Sequence, residues 1–242
     1  MIAAVRKEIK YGSDWIKVLA SGAFMSASTN AQDSPENTHL SAPELAACVE
    51  EARRRRVPVM AHAHGAESIL LAAEAGCRSI EHASFIDLRG VQACLRNNTW
   101  IVPTFSVGAH FEKIGSATGA QDRCIDLLRQ TDERFNSCIR SAVAAGVKVA
   151  LGSDYVGWDP SINAREFRFL VERAGMTPMQ AIMAGTCSAA DLLGRPDLGR
   201  ICKGAVADIV VINGNPLEDI SLLQSSILLV MKEGRVIKGI SN

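Results

Sequence analysis

Short apolar runs rich in β-branched residues alternate along this chain with longer stretches whose apolar positions recur every three or four residues. The first pattern predicts strands and the second predicts helices with one buried face. The strand-type runs are residues 15–20 (WIKVLA), 58–62 (PVMAH), 79–82 (SIEH), 100–105 (WIVPTF) and 147–153 (VKVALGS). Helical spacing covers residues 43–55, 66–75, 88–97 and 121–145. Ser41-Ala42-Pro43-Glu44 is a good helix opening, because a proline in the first turn removes no intrahelical hydrogen bond. Gly76 and Gly146 close two of the helices, since glycine enters the left-handed conformation without a Cβ penalty.

Beyond Asp154 the pattern changes. Two helices are predicted, over residues 164–174 and 177–193, the second opened by Thr177-Pro178. Glycine-punctuated short strands follow at 207–213 (ADIVVIN), 227–232 (ILLVMK) and 235–238 (RVIK), with Lys232-Glu233-Gly234-Arg235 as a hairpin turn. Two or three antiparallel strands hold no core by themselves and need a partner sheet.

The repeated strand–helix alternation implies an α/β fold, a parallel sheet with helices outside. Two arrangements satisfy it, an open doubly wound sheet or a (β/α) barrel. Polar residues end nearly every strand-type run: Lys17, His62, His82, Thr104 and Asp154. A barrel directs all such ends into one mouth, whereas an open sheet gathers ligands at a single switch point. The barrel is therefore the expected fold.

Chemistry concentrates at those strand ends. The chain has five histidines, and His62, His64 and His82 fall at the ends of two successive strands. Lys17 sits in an otherwise apolar strand, where an ammonium is costly to bury without a partner. With Asp154, these residues make a candidate site for Zn²⁺ or a similar divalent ion. Each has a plainer reading: a hydrogen-bonded core histidine, a loop-capping aspartate, a lysine reaching out of an edge strand. Their convergence on successive strands favours the metal site.

Composition narrows the partners. Lysine plus arginine equals aspartate plus glutamate at 26 each, so net charge is zero and no nucleic-acid-binding surface is expected. Arg53–Arg56 is the dense basic cluster, read as a solvated helix end where cations complement the dipole. The seven cysteines form no CxxC pair, and the odd count argues for reduced thiols in a cytoplasmic protein. No apolar stretch reaches the roughly 18 residues of a membrane span, and no signal peptide is visible at Met1-Ile2-Ala3-Ala4.

WIKVLASG, VPVMAHAHG, SIEHASF, GVKVALGSD, GMTPMQAIMAGTCSAADLLG and KGAVADIVVINGNPLEDI, closed by VMKEGRVIK, resemble the amidohydrolase superfamily in the family's own order. The resemblance is nearest to its imidazolonepropionase-related and Xaa-Pro dipeptidase-like enzymes. It implies a partial (β/α)8 barrel, strands four to eight, over residues 1–200, and the C-terminal strands of a small β-sandwich over 201–242. It also implies hydrolysis of amide, peptide or cyclic amide C–N bonds in a small-molecule or dipeptide substrate. Lys17 would carry a CO₂-derived carbamate and bind metal with His62 and His82. Asp154 would bind a second ion and act as general base. Of the AHAHG pair, His62 follows the apolar strand and is the expected ligand. His64 is then a substrate contact, although their shared parity leaves a swap open. His110 is placed in the mouth loops as a second substrate contact. The loop over residues 24–40 is expected to cover the site.

The chain departs from the family pattern by lacking a first-strand HxH and the first three barrel strands. It is therefore expected to be a fragment of a longer enzyme, with doubtful activity alone and exposed sheet edges that favour homo-oligomers. The alternative is a non-catalytic structural subunit that pairs with another chain.

Overall fold

The computed structural model describes residues 1–25, 32–114, 122–155 and 163–239. It divides into two compact units, Met1–Pro103 with Gly108–Lys148, and Thr104–Val107 with Val149–Asn242.

The first unit is built on a parallel sheet of four strands: β1 (Ile16–Leu19), β2 (Val59–Ala63), β3 (Ser79–His82) and β4 (Trp100–Val102). Their spatial order follows the sequence order without reversal. Helices α1 (Ile2–Lys10), α2 (Ala42–Arg53), α3 (Ala66–Ala75) and α4 (Leu88–Asn97) alternate with the strands and pack successively on one another. Their buried residues, such as Leu45, Cys48 and Ala52 on α2, recur at helical spacing. Ile16, Val18, Val59, Ala61, Ile80 and Ile101 supply the apolar side of the sheet to this core. The predicted opening of α2 is present: the Ser41 N–H donates to Glu44 Oε2 at 2.9 Å. Arg53 to Arg56 are exposed, and Arg53 and Arg54 both pair with Glu50.

Two strand expectations are corrected. The run at 100–105 stops at Val102: Pro103 has no N–H to donate, Thr104 turns to φ 58°, and α5 (Phe105–Ile114) begins instead. Glu166 explains that helix start, accepting from Phe105 N–H at 2.9 Å and Ser106 N–H at 2.8 Å. Residues 147–153 do not continue as a full strand. Ile101 N–H donates to Lys148 O at 2.9 Å, but Leu151 N–H turns to Ala184 O, also at 2.9 Å. The long helix α6 (Asp122–Ala144) matches its predicted span within a residue at each end.

In the second unit, α7 (Arg165–Glu172) is followed by two helices where one was expected, α8 (Pro178–Ala184) and α9 (Cys187–Leu193). The break falls at Gly185-Thr186, where Thr186 leaves helical geometry at φ −127°, ψ −101°. β5 (Ile209–Ile212), a short α10 (Leu222–Ser225), β6 (Ile227–Lys232) and β7 (Arg235–Lys238) follow, the strands forming an antiparallel sheet in the order β5-β6-β7. Its hairpin turn is the predicted one, with Glu233 and Gly234 both at positive φ, the geometry that matches strand twist. Asp208 anchors the turn, accepting from Glu233 N–H and Lys232 Nζ at 2.8 Å each.

No helix among the described residues is long and apolar enough to cross a membrane. All seven cysteines are free thiols. Burial pushes the Cys77 and Cys94 thiols up to about 12.

Candidate metal centre

The site grows from the C-terminal ends of β2 and β3. His62 lies in β2 and His64 two residues on, so the strand's period of two sends both side chains to one face. In register, Leu19, His62, Glu81 and Val102 form one cross-strand row, and Lys17, Met60, Ser79 and Trp100 form the row two residues before it, on the same face. His82 follows Glu81 and would by parity point away. It sits instead at φ 72°, with Ala83 at φ 50°, and this left-handed pair brings its ring back to the cluster. Thr104 and Asp154, also at strand-end positions in the sequence, have positive φ as well, 58° and 52°. Non-glycine residues hold such conformations only where the surroundings impose them, often at functional sites.

The three imidazoles are buried and in mutual contact. His64 and His82 stack at 4.5 Å with their planes 17° apart, while His62 meets His64 edge-on at 4.7 Å and His82 at 4.6 Å. One ring nitrogen from each lies within 4.8 Å of the others. Around a tetrahedral zinc with bonds of about 2.0–2.1 Å, ligand nitrogens sit roughly 3.4 Å apart, so a modest contraction would seat an ion. Burial holds the His64 and His82 pKa values well below the usual histidine range. Neighbouring imidazoles depress both further, and the Lys17 charge adds to the effect on His82. Both rings are therefore neutral at pH 7, the form that binds metal.

Hydrogen bonds orient two rings from behind. His62 Nε2 is 3.2 Å from Gly22 O. A carbonyl only accepts, so Nε2 carries the proton and Nδ1 the lone pair. His64 Nδ1 is 2.8 Å from Ser84 Oγ, and the His64 N–H donates to Ser21 Oγ at 3.0 Å. Ser21 Oγ in turn donates to Gly22 O at 2.8 Å. Gly22 cannot be replaced easily, because a Cβ there would lie 2.2 Å from Ser34 O.

The other expected site residues are placed as follows. Lys17 shares the His62 face of the sheet, but it is exposed rather than buried: β1 is an edge strand, and its apolar partners Ile16 and Val18 occupy the opposite side. Asp154 belongs to the second unit and is exposed, two residues after Gly152. His110 is on helix α5, not in a loop, and is buried. Of the loop expected to cover the site, residues 26–31 lie outside the described residues. Its remainder is tied down by the Ser21–Thr38 bridge, by Gly22 N–H donating to Asn37 O at 3.0 Å, and by the His39–Asp33 pair at 3.0 Å. Sequence reasoning did not single out Ser21, Gly22, Ser84 or His39. Serine and glycine are too common to signal a supporting role by their identity alone.

A buried histidine cluster that could hold a metal, at the ends of parallel strands and beside an exposed lysine on the same sheet, marks an α/β protein with a candidate metal site. The amidohydrolase family profile matches residues 2–237, and the chain belongs to that family. The chain is 36% identical over 240 residues to the ochratoxinase of Aspergillus niger, an alignment covering 98% of this chain and 48% of that protein. It is 30% identical over 171 residues to the imidazolonepropionase of Anaeromyxobacter dehalogenans, covering 69% of this chain and 36% of that one. Among solved structures, the A. niger ochratoxinase superposes with a TM-score of 0.85 at 36% identity, over 98% of this chain and 54% of the other. An Xaa-Pro dipeptidase with methionine bound in its active site gives a TM-score of 0.88 at 35% identity, over 98% and 58%. The chain thus spans about half the length of the curated ochratoxinase it matches.

Proposed function

We propose that this chain is part of a metal-dependent hydrolase that cleaves C–N bonds in amides, dipeptides of the Xaa-Pro type or cyclic amides. The observation that carries the reading is the buried His62–His64–His82 cluster, with one ring nitrogen from each within 4.8 Å of the others, in a chain of the amidohydrolase family. Similarity to an ochratoxinase and to an Xaa-Pro dipeptidase supports the bond type. The unreversed order of β1 to β4 supports a barrel wedge, with residues 1–200 contributing strands four to eight and residues 201–242 part of a β-sandwich.

In this reading His62 and His82, together with Lys17, would hold a divalent ion, Zn²⁺ because imidazole ligands suit that borderline metal. The neutral Lys17 amine adds to CO₂ with loss of one proton, which turns a cation into an anionic oxygen ligand. Asp154 would hold a second ion. When bound, the metal supplies Lewis-acid polarisation of the scissile carbonyl and lowers the pKa of the attacking water. The Asp154 carboxylate takes the proton of that water and passes it to the departing amine. His64, whose ring nitrogen shares the same space, either contacts the substrate or joins the ligands, and His110 contacts the substrate. The partners are a small-molecule or dipeptide substrate and further copies of the chain, in a cytoplasmic setting.

A second reading, a non-catalytic subunit that pairs with another chain, is favoured by the β1 edge, where Leu19 is 60% exposed beside the exposed Lys17. Elemental analysis of the wild type and His82→Ala, alongside hydrolysis of N-acyl and Xaa-Pro substrates, separates the two. About one or two divalent ions per chain, lost with His82, and hydrolysis abolished by chelator support the enzyme. A purified chain without metal or activity in any arm supports the subunit.

A further inference from the structure

We infer that Ser84 is a positioning residue that holds the His64 ring in the tautomer with its proton on Nδ1, so that Nε2 presents a lone pair to the histidine cluster. What uses that lone pair rests on the metal reading above; the tautomer itself does not.

Four observations converge on it. Ser84 is fully buried, and its Oγ is 2.8 Å from His64 Nδ1, so the contact is dry and its loss would leave a polar atom stranded. The left-handed pair His82-Ala83 places the serine there. Ala83 N–H donating to Ala63 O at 3.0 Å and Phe85 N–H donating to His64 O at 2.9 Å then clamp the backbone on both sides of it. The ring cannot rotate away, because His82 stacks on it at 4.5 Å and Phe24 meets it edge-on at 4.9 Å. Finally, one nitrogen from each of the three imidazoles lies within 4.8 Å of the others, and with Nδ1 taken by Ser84 the nitrogen His64 has left for that group is Nε2. A proton on Nε2 would occupy the space those lone pairs share, whereas a proton on Nδ1 meets a hydroxyl oxygen that accepts it. One turn thus delivers two things to the site, the His82 ring and the group that orients its stacked neighbour.

The test is ¹⁵N-edited NMR of the histidine side chains in the metal-free full chain, wild type and Ser84→Ala, paired with zinc affinity measured by chelator competition. The expected result is an Nδ1–H tautomer for His64 in the wild type, shifted toward Nε2–H in Ser84→Ala, with zinc affinity weaker by roughly 10- to 100-fold. Ser84→Thr, which keeps the hydroxyl, should restore the wild-type tautomer. A wild-type His64 protonated on Nε2, or a tautomer unmoved by Ser84→Ala, overturns the inference. The wild-type spectrum decides even if the variants fold poorly. A wild type with the expected tautomer but no affinity for zinc upholds the role of Ser84 and sinks the metal reading instead.

Discussion

Glu166 accepts three hydrogen bonds from the first turn of α5, those of Phe105 N–H, Ser106 N–H and Ser106 Oγ, the last at 2.6 Å. These bonds and the nearby Arg173 favour its ionised form, yet complete burial outweighs them and pushes its carboxyl up to about 7. The folded state therefore binds this proton more tightly than the unfolded chain, whose glutamate titrates near 4.5. The stability so contributed is fully present below about pH 4.5 and is lost as pH rises through about 7, an effect of about 3 kcal/mol. Urea denaturation at pH 5 and pH 8 should show a larger fall for the wild type than for Glu166→Gln. Parallel curves for the two proteins would mean that Glu166 does not titrate in this window. The same scale governs the proposed metal site, where Gly22→Ala should weaken any zinc binding. The new Cβ would displace Ser34 O from 2.2 Å and shift the carbonyl that orients His62. An unaltered affinity by chelator competition would show that Gly22 O does not orient the ring.

Among the elements, α8 and α9 depend on their ends. Thr177 caps α8, its Oγ1 accepting from Gln180 N–H at 3.2 Å while Gln180 Oε1 accepts from Thr177 N–H at 2.8 Å. Replacing Thr177 by alanine removes half of this reciprocal cap and should cost about 1 kcal/mol in thermal or urea melts. Gly199 is a harsher case. It has φ +68°, and a Cβ would lie 2.5 Å from the carbonyl carbon and oxygen of Thr186. Backbone cannot yield as a flexible side chain can, so Gly199→Ala should destabilise the chain by about 2–3 kcal/mol, toward the upper end of ordinary single substitutions. A loss no larger than that of Thr177→Ala would show that the segment relaxes freely.

For the molecule as a whole, the β5-β6-β7 sheet is thinly covered. Val236 and Ile237 point to opposite faces of the edge strand β7, yet are 55% and 68% exposed, and Val210 and Val211 of β5 are 54% and 42% exposed. Two-sided exposure of apolar residues on edge strands drives association. Analytical ultracentrifugation should show concentration-dependent self-association of the wild type that Val236→Lys with Ile237→Lys reduces. A strictly monomeric wild type would remove this expectation.

Much of the architecture was legible in residue patterns. Ser79–His82, Ala66–Ala75, Leu88–Asn97 and the Lys232–Arg235 hairpin depend on local periodicity, glycine and capping, which the chain carries within a few residues of each element. The approach of His62 to His64 followed from strand parity in the same way. Other features depend on partners distant in sequence. α5 exists where a mouth loop was expected, and Glu166, about sixty positions away, satisfies its first N–H groups. Residues 147–153 fail to extend as a strand because Leu151 N–H finds Ala184 O. Lys17 is exposed because β1 is an edge strand whose apolar residues Ile16 and Val18 fill the opposite side of the sheet. His82 joins the cluster against strand parity because two left-handed residues turn it, and Ser84 arrives behind His64 by the same turn. Periodicity records which side of an element meets a core. It does not record which distant group satisfies a given N–H or ring nitrogen, and in this site those pairings orient the histidines.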